Sequence, residues 1–124
     1  MHPKAIENIL NLKPFDRYQY FIRKIADWEK VYTLVFLNGN YAMSIVDDKK
    51  LFPLWSAREF AELSKTGDWQ ECEILELDFN DLEKLFDYIG EYNFLINVFP
   101  TDTTGFVVTL EEFSRDLGTE LEQY

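Results

Sequence analysis

The chain has 124 residues, of which 47% are apolar and 17% aromatic, and its 12 basic and 23 acidic residues give a formal net charge of −11. This length supports one domain, predicted over residues 1–124, and the apolar content excludes a disordered chain. Because negative charge repels phosphate backbones, we expect no nucleic-acid partner.

No apolar run approaches the roughly 20 residues of a membrane-spanning helix, and residues 1–7 lack the basic and apolar regions of a secretory signal. The sequence therefore predicts a cytoplasmic protein with no membrane partner. Its single cysteine, Cys72, excludes an internal disulfide, and its single histidine, His2, lies near the chain terminus.

The first elements in chain order are two predicted helices. Residues 4–12 form a short one, and Asp16 is the predicted N-cap of a longer one. The longer helix places an apolar stripe on the core, which consists of Phe21, Ile22, Ile25 and Trp28.

Three predicted strands follow. The β-rich runs 31–37 and 41–46 flank Asn38-Gly39-Asn40, whose residues tolerate the positive φ of a tight turn, so they predict a hairpin. The polar stretch 47–50 then turns the chain into 51–55, where Pro53 lacks a ladder donor and therefore indicates an edge strand or an extended segment.

The middle of the chain predicts a helix and a strand. Ser56 and Glu59 have the spacing of a capping box, and Gly67 is the expected stop of the helix that they open. Residues 70–77 then read as a strand, although glutamates interrupt its apolar pattern.

A fourth helix is predicted to begin at Asp78 or Asn80 and to end at Gly90. Residues 94–99 are apolar on both faces, which is typical of an interior strand. Residues 106–108 form another short strand.

The last predicted helix begins at Thr109, which has the spacing of a capping box with Glu112. The predicted order is αα-βββ-α-β-α-ββ-α. It indicates a single α+β domain with a mixed, mostly antiparallel sheet packed with helices.

The residue types needed for catalysis are scarce. Cys72 lies between Glu71 and Glu73, whose charges disfavour a thiolate, and no glycine-rich phosphate loop is present. We therefore predict no catalytic residues, no metal ligands and no cofactor.

Acidic residues are concentrated in two segments. Residues 68–91 hold nine acids and one base, and residues 110–124 hold five acids and one base. These segments predict either solvated helix faces or an acidic surface that docks on a basic partner.

Several phrases of the sequence resemble a bacterial family of domains of unknown function, number 2750. The phrases are 26–34 (ADWEKVYTL), 52–55 (FPLW), 67–69 (GDW), 98–101 (VFPT), 116–117 (DL) and 120–124 (ELEQY). The resemblance implies a small stand-alone bacterial domain and brings no activity, ligand or catalytic residue. The chain departs from the family locally, because its turn at 37–41 is less polar than in many relatives.

The leading hypothesis is a non-enzymatic protein-interaction module, similar to an immunity or inhibitor protein, whose acidic helices over roughly 78–91 and 111–122 face a basic partner. The alternative is a small-molecule-binding domain or a carboxylate-based enzyme with an aromatic cleft. A monomer and a homodimer both stay open. The candidate partner-binding residues are Asp81, Glu83, Asp87, Glu91, Trp28, Trp55 and Trp69.

Overall fold

The computed structural model describes residues 1–101 and 105–123, and its elements follow the predicted order. The helices are α1 (Pro3–Leu10), α2 (Pro14–Trp28), α3 (Arg58–Leu63), α4 (Phe79–Tyr92) and α5 (Leu110–Leu121). The strands are β1 (Lys30–Val35), β2 (Ser44–Val46), β3 (Lys49–Leu54), β4 (Glu73–Asp78), β5 (Leu95–Val98) and β6 (Phe106–Val108). A short 3₁₀ turn, Gly67–Trp69, precedes β4. No helix in the described part of the chain is both long and apolar enough to cross a bilayer.

The strands form two groups that share one link. β1 pairs antiparallel with β4, and the other group has the order β2-β3-β5-β6, in which only β3 and β5 are parallel. The link consists of two backbone hydrogen bonds of 2.9 Å between Tyr32 and Trp55. The fold is therefore the predicted α+β class with mixed, mostly antiparallel pairing.

The predicted hairpin between residues 31–37 and 41–46 is wrong. β1 pairs with β4, and contact across the predicted turn is limited to a bridge between Val35 and Tyr41 and its neighbouring hydrogen bonds. The tight hairpin lies one strand later, between β2 and β3, where Asp47 and Asp48 have φ values of 51° and 63°. Two consecutive residues with positive φ match the twist of paired strands, which explains the shift.

Of the two alternatives predicted for Pro53, the edge strand is wrong, because β3 lies between β2 and β5. β2 begins at Ser44, which pairs with Leu51, so Pro53 lies beyond the reach of that antiparallel ladder. Its carbonyl oxygen accepts a 2.7 Å hydrogen bond from the Thr33 hydroxyl of β1. A proline is tolerated here because one neighbouring strand is short.

Two of the predicted caps are absent. α2 begins at Pro14, with Lys13 as N-cap and Asp16 inside the first turn, because proline's fixed φ suits the first helical position. α3 begins at Arg58, and the backbone stays extended through Ala57. Pairing of Trp55 with Tyr32 holds the chain extended here, so Ser56 makes no capping box with Glu59.

The capping boxes of α4 and α5 do form. Asp78 accepts from the Asp81 amide at 2.8 Å, and Asp81 accepts in return from the Asp78 amide at 3.1 Å. Thr109 opens α5 in the same way, as predicted. α4 continues through the predicted stop at Gly90 and ends at Tyr92, and its C-cap, Asn93, has φ 56°.

The core lies between the helices and the sheet and is rich in fully buried aromatic rings, including Phe21, Trp55, Phe60 and Phe113. It also contains one charged residue, Arg17, which is 2% exposed. Its guanidinium donates to the backbone oxygens of Leu12 at 2.7 Å and Phe99 at 3.3 Å. Burial lowers the pKa of Arg17.

Candidate functional site

The exposed face of α4 carries three carboxylates at intervals of four residues. Leu82, Leu85 and Ile89 of this helix are buried, so the opposite face is presented to solvent. Glu83, Asp87 and Glu91 are all exposed there. Because residues four apart are neighbours on a helix surface, the three side chains form a line. We call these residues the acidic row.

The acidic row has no cationic partner within the described residues. Among the described residues, the carboxylates that form ion pairs are those of Glu59, Glu62, Glu76 and Asp116. Like charges four residues apart destabilise a helix by about 0.2–0.5 kcal/mol per pair. The last turn of α4 also holds no basic residue, although the helix dipole disfavours an acid such as Glu91 at that end. The row is therefore electrostatically unfavourable for the isolated chain.

Asp81, the fourth predicted acidic site residue, has a structural role. It is half-buried and forms the capping box with Asp78. The hydrogen bonds from the Asp81 amide and the attraction of Lys30 lower the pKa of the Asp78 carboxyl. Asp81 therefore belongs to the start of α4 and lies apart from the acidic row.

Two of the four acidic residues of α5, Glu112 and Asp116, are engaged within the fold. Glu112 closes the second capping box by accepting from the Thr109 amide at 2.9 Å, and the hydrogen bonds in this box lower the pKa of Glu112. Asp116 accepts a 2.6 Å hydrogen bond from the hydroxyl of Tyr18. Burial and this hydrogen bond raise the pKa of Tyr18.

The structure does not bring the three tryptophans together. Trp55 is fully buried and donates from Nε1 to the Pro100 oxygen at 3.0 Å. Trp69 packs edge-on against it, with ring centroids 6.2 Å apart. Trp28 is 69% exposed at the end of α2, where it lines a separate cavity whose walls include neither of the other two rings. The prediction that Trp28 packs in the core is wrong.

An aromatic cluster adjoins the acidic row at the end of α4. Tyr88, Tyr92 and Phe94 contact one another with ring centroids 5.0–5.6 Å apart, and Tyr41 lies 5.7 Å from Tyr88. Tyr92 is 57% exposed. We call these four residues the tyrosine cluster. Sequence reasoning missed it, although three aromatic residues within seven positions were a visible signal.

Chemically reactive groups are few. Cys72 is 1% exposed, and burial raises the pKa of its thiol, which keeps it protonated at neutral pH. Within residues 1–101 and 105–123, no group of three or more His, Cys, Asp or Glu side chains is arranged to hold a metal ion. The arrangement is suited to recognition by charge and by aromatic contact.

Comparison with known proteins gives a family. A family model described as "Protein of unknown function (DUF2750)" matches residues 18–117. This range contains the acidic row, the tyrosine cluster and all three tryptophans. No curated protein matches the sequence. Because the match covers most of the chain, the protein belongs to this family of proteins of unknown function.

Proposed function

We propose that this protein is a non-enzymatic, cytoplasmic interaction module that docks on a basic partner protein, as an immunity or inhibitor protein does. The acidic row supplies the charge that recognises the partner. The tyrosine cluster supplies the apolar contact beside it.

The observation that carries this proposal is the unpaired state of the acidic row among the described residues. Glu83, Asp87 and Glu91 repel one another along α4, and none of them forms an ion pair with a described residue. A basic partner would convert the repulsion into attraction between surfaces of opposite charge. An interaction outside the chain would account for the unfavourable charge.

The geometry of the row limits the partner surface. Glu91 lies eight positions after Glu83 on the helix, which corresponds to about 12 Å along the axis. A partner that pairs with all three carboxylates needs lysines or arginines spread over that distance. Interfaces commonly combine such charged rims with buried tyrosines, and Tyr88 and Tyr92 lie on the neighbouring side of the same helix turns.

The experiment compares three tagged proteins in capture from lysate: the unchanged chain, E83Q/D87Q/E91Q and E7Q/E71Q/E73Q. The second triple variant changes net charge by the same amount at exposed residues outside the row. We expect the unchanged chain and the control variant to retain the same protein at about 50 mM NaCl and to release it at about 500 mM. We expect the row variant to retain none.

Equal loss in both variants would mean that binding depends on net charge alone, and retention by the row variant would place the interface elsewhere. A second variant, Tyr92→Ala, tests the contribution of the tyrosine cluster to binding separately from that of the acidic row. It should weaken capture at about 50 mM NaCl, where the unchanged chain retains its partner, because it removes an aromatic contact and leaves the charges of the row in place. Capture that resists Tyr92→Ala would remove the cluster from the interface.

A further inference from the structure

A cavity of about 280 Å³ lies where α2, β1 and the start of α3 meet. Three aromatic residues contribute to its wall: Tyr20 and Trp28 from α2, and Tyr32 from β1. Trp28 leaves most of its ring accessible. The volume is at the lower end for ligand pockets, which suits a molecule of one or two rings.

Cationic side chains are concentrated at this cavity. Lys24 places its Nζ 5.6 Å from the Tyr20 ring centroid, and Arg58 places its Cζ 5.8 Å from the Tyr32 ring centroid. Neither side chain forms an ion pair with a described residue. In a chain with 23 acids and 12 bases, two such cations on one cavity are unexpected.

The other charges at the cavity are already engaged. Lys30 lies 3.8 Å from the Glu76 carboxylate, which also accepts a 3.0 Å hydrogen bond from the Tyr32 hydroxyl. Glu59 lies 3.3 Å from the amino group of Met1. The charge at the cavity that these ion pairs do not neutralise is therefore positive, and it comes from Lys24 and Arg58.

Ser56 provides an independent observation. Its hydroxyl oxygen is buried and has no hydrogen-bond partner among residues 1–101 and 105–123, although Ser56 contributes to the cavity wall. A buried hydroxyl without a partner costs free energy. An oxygen of a bound ligand would satisfy it.

We propose that this cavity binds a small organic anion in which a planar ring carries one carboxylate or phosphate group. The ring stacks beside Trp28, the anionic group faces Arg58 and Lys24, and one of its oxygens accepts from the Ser56 hydroxyl after this buried side chain rotates toward the cavity. Glu59 disfavours larger polyanions at the same rim. This site is separate from the acidic row, and either proposal stands if the other fails.

The test is a titration of ¹⁵N-labelled protein with indole-3-acetate, phenyl phosphate and the neutral indole-3-acetamide. The indole N–H resonance of Trp28 reports on the cavity, and that of buried Trp55 is the internal control. We expect both anions to shift the Trp28 resonance and to leave Trp55 unchanged. The tighter of the two anions then identifies the anionic group.

Three variants sharpen the result. Arg58→Gln should weaken anion binding about tenfold or more, as expected for the loss of a charged hydrogen-bond donor, while the exposed control Arg23→Gln should not. Ser56→Ala should weaken binding without destabilising the free protein, because its hydroxyl has no partner to lose. Glu59→Gln should tighten binding by removing a like charge.

Three outcomes would overturn the proposal. The first is no shift of Trp28 at about 10 mM of either anion. The second is equal affinity for indole-3-acetate and indole-3-acetamide, which would mean that the negative charge of the ligand plays no part in binding. The third is equal weakening by Arg58→Gln and Arg23→Gln, which would indicate attraction to the general surface.

Discussion

Helices α4 and α5 both begin with a capping box and both carry many acidic residues, but their carboxylates have different partners. In α5, Glu112 caps the helix and Asp116 holds the hydroxyl of Tyr18. In α4, Glu83, Asp87 and Glu91 extend beyond the cap as an unpaired row within the described structure. Acidic charge therefore stabilises the fold in one helix and opposes it in the other.

The largest expected effect on the free energy of unfolding comes from breaking the hydrogen bond between α5 and α2. Asp116→Ala leaves the hydroxyl of Tyr18, a residue 4% exposed, without its acceptor, which should lower the free energy of unfolding by about 1–3 kcal/mol. Urea denaturation measures the change. The double variant D116A/Y18F removes both partners and should recover most of the loss; no recovery would show that Asp116 acts in another way.

Loss of the α5 cap should have a smaller effect. Thr109→Ala removes the acceptor of the Glu112 amide and should lower the free energy of unfolding by about 1 kcal/mol. Thr109→Ser keeps the hydroxyl and is the matched control. If Thr109→Ser lowers the free energy of unfolding as much as Thr109→Ala does, packing of the threonine methyl group rather than capping explains the result.

The two caps also predict a pH dependence. Hydrogen bonds lower the pKa of Asp78 and Glu112 in the folded state, so the unfolded chain binds protons more readily than the folded one. Their contribution is complete above about pH 4.5 and is lost as the pH falls through the lowered folded pKa values. In urea denaturation between about pH 6 and pH 3, D78N/E112Q should lose less stability than the unchanged chain. An equal loss would assign the acid sensitivity to other groups.

Local patterns in the sequence predict the capping box of α5 and the order of elements, because each depends on residues close together in the chain. Strand partners depend on distant residues. β1 pairs with β4, whose residues are 38 to 48 positions away, and no local signal at Asn38-Gly39-Asn40 could show that the turn there lacks a full hairpin. Ser56 illustrates the same limit, since pairing of Trp55 with Tyr32 overrides its local capping pattern.

The candidate site was predictable to a similar extent. The sequence shows that Asp81, Glu83, Asp87 and Glu91 are acidic, but only the fold shows that Asp81 is a capping residue and that the other three form a row. Trp28 has the spacing of a core residue, yet α2 ends there and Glu29 adopts a left-handed conformation. The ring therefore lies beyond the core.

The stability of E83Q/D87Q/E91Q tests most directly the claim that the acidic row is not needed for folding. Removing two like-charge pairs should raise the free energy of unfolding by up to about 1 kcal/mol at low salt, and the gain should shrink at about 500 mM NaCl. A lower stability of the variant at low salt would contradict the account, because it would show that these carboxylates have favourable partners within the chain.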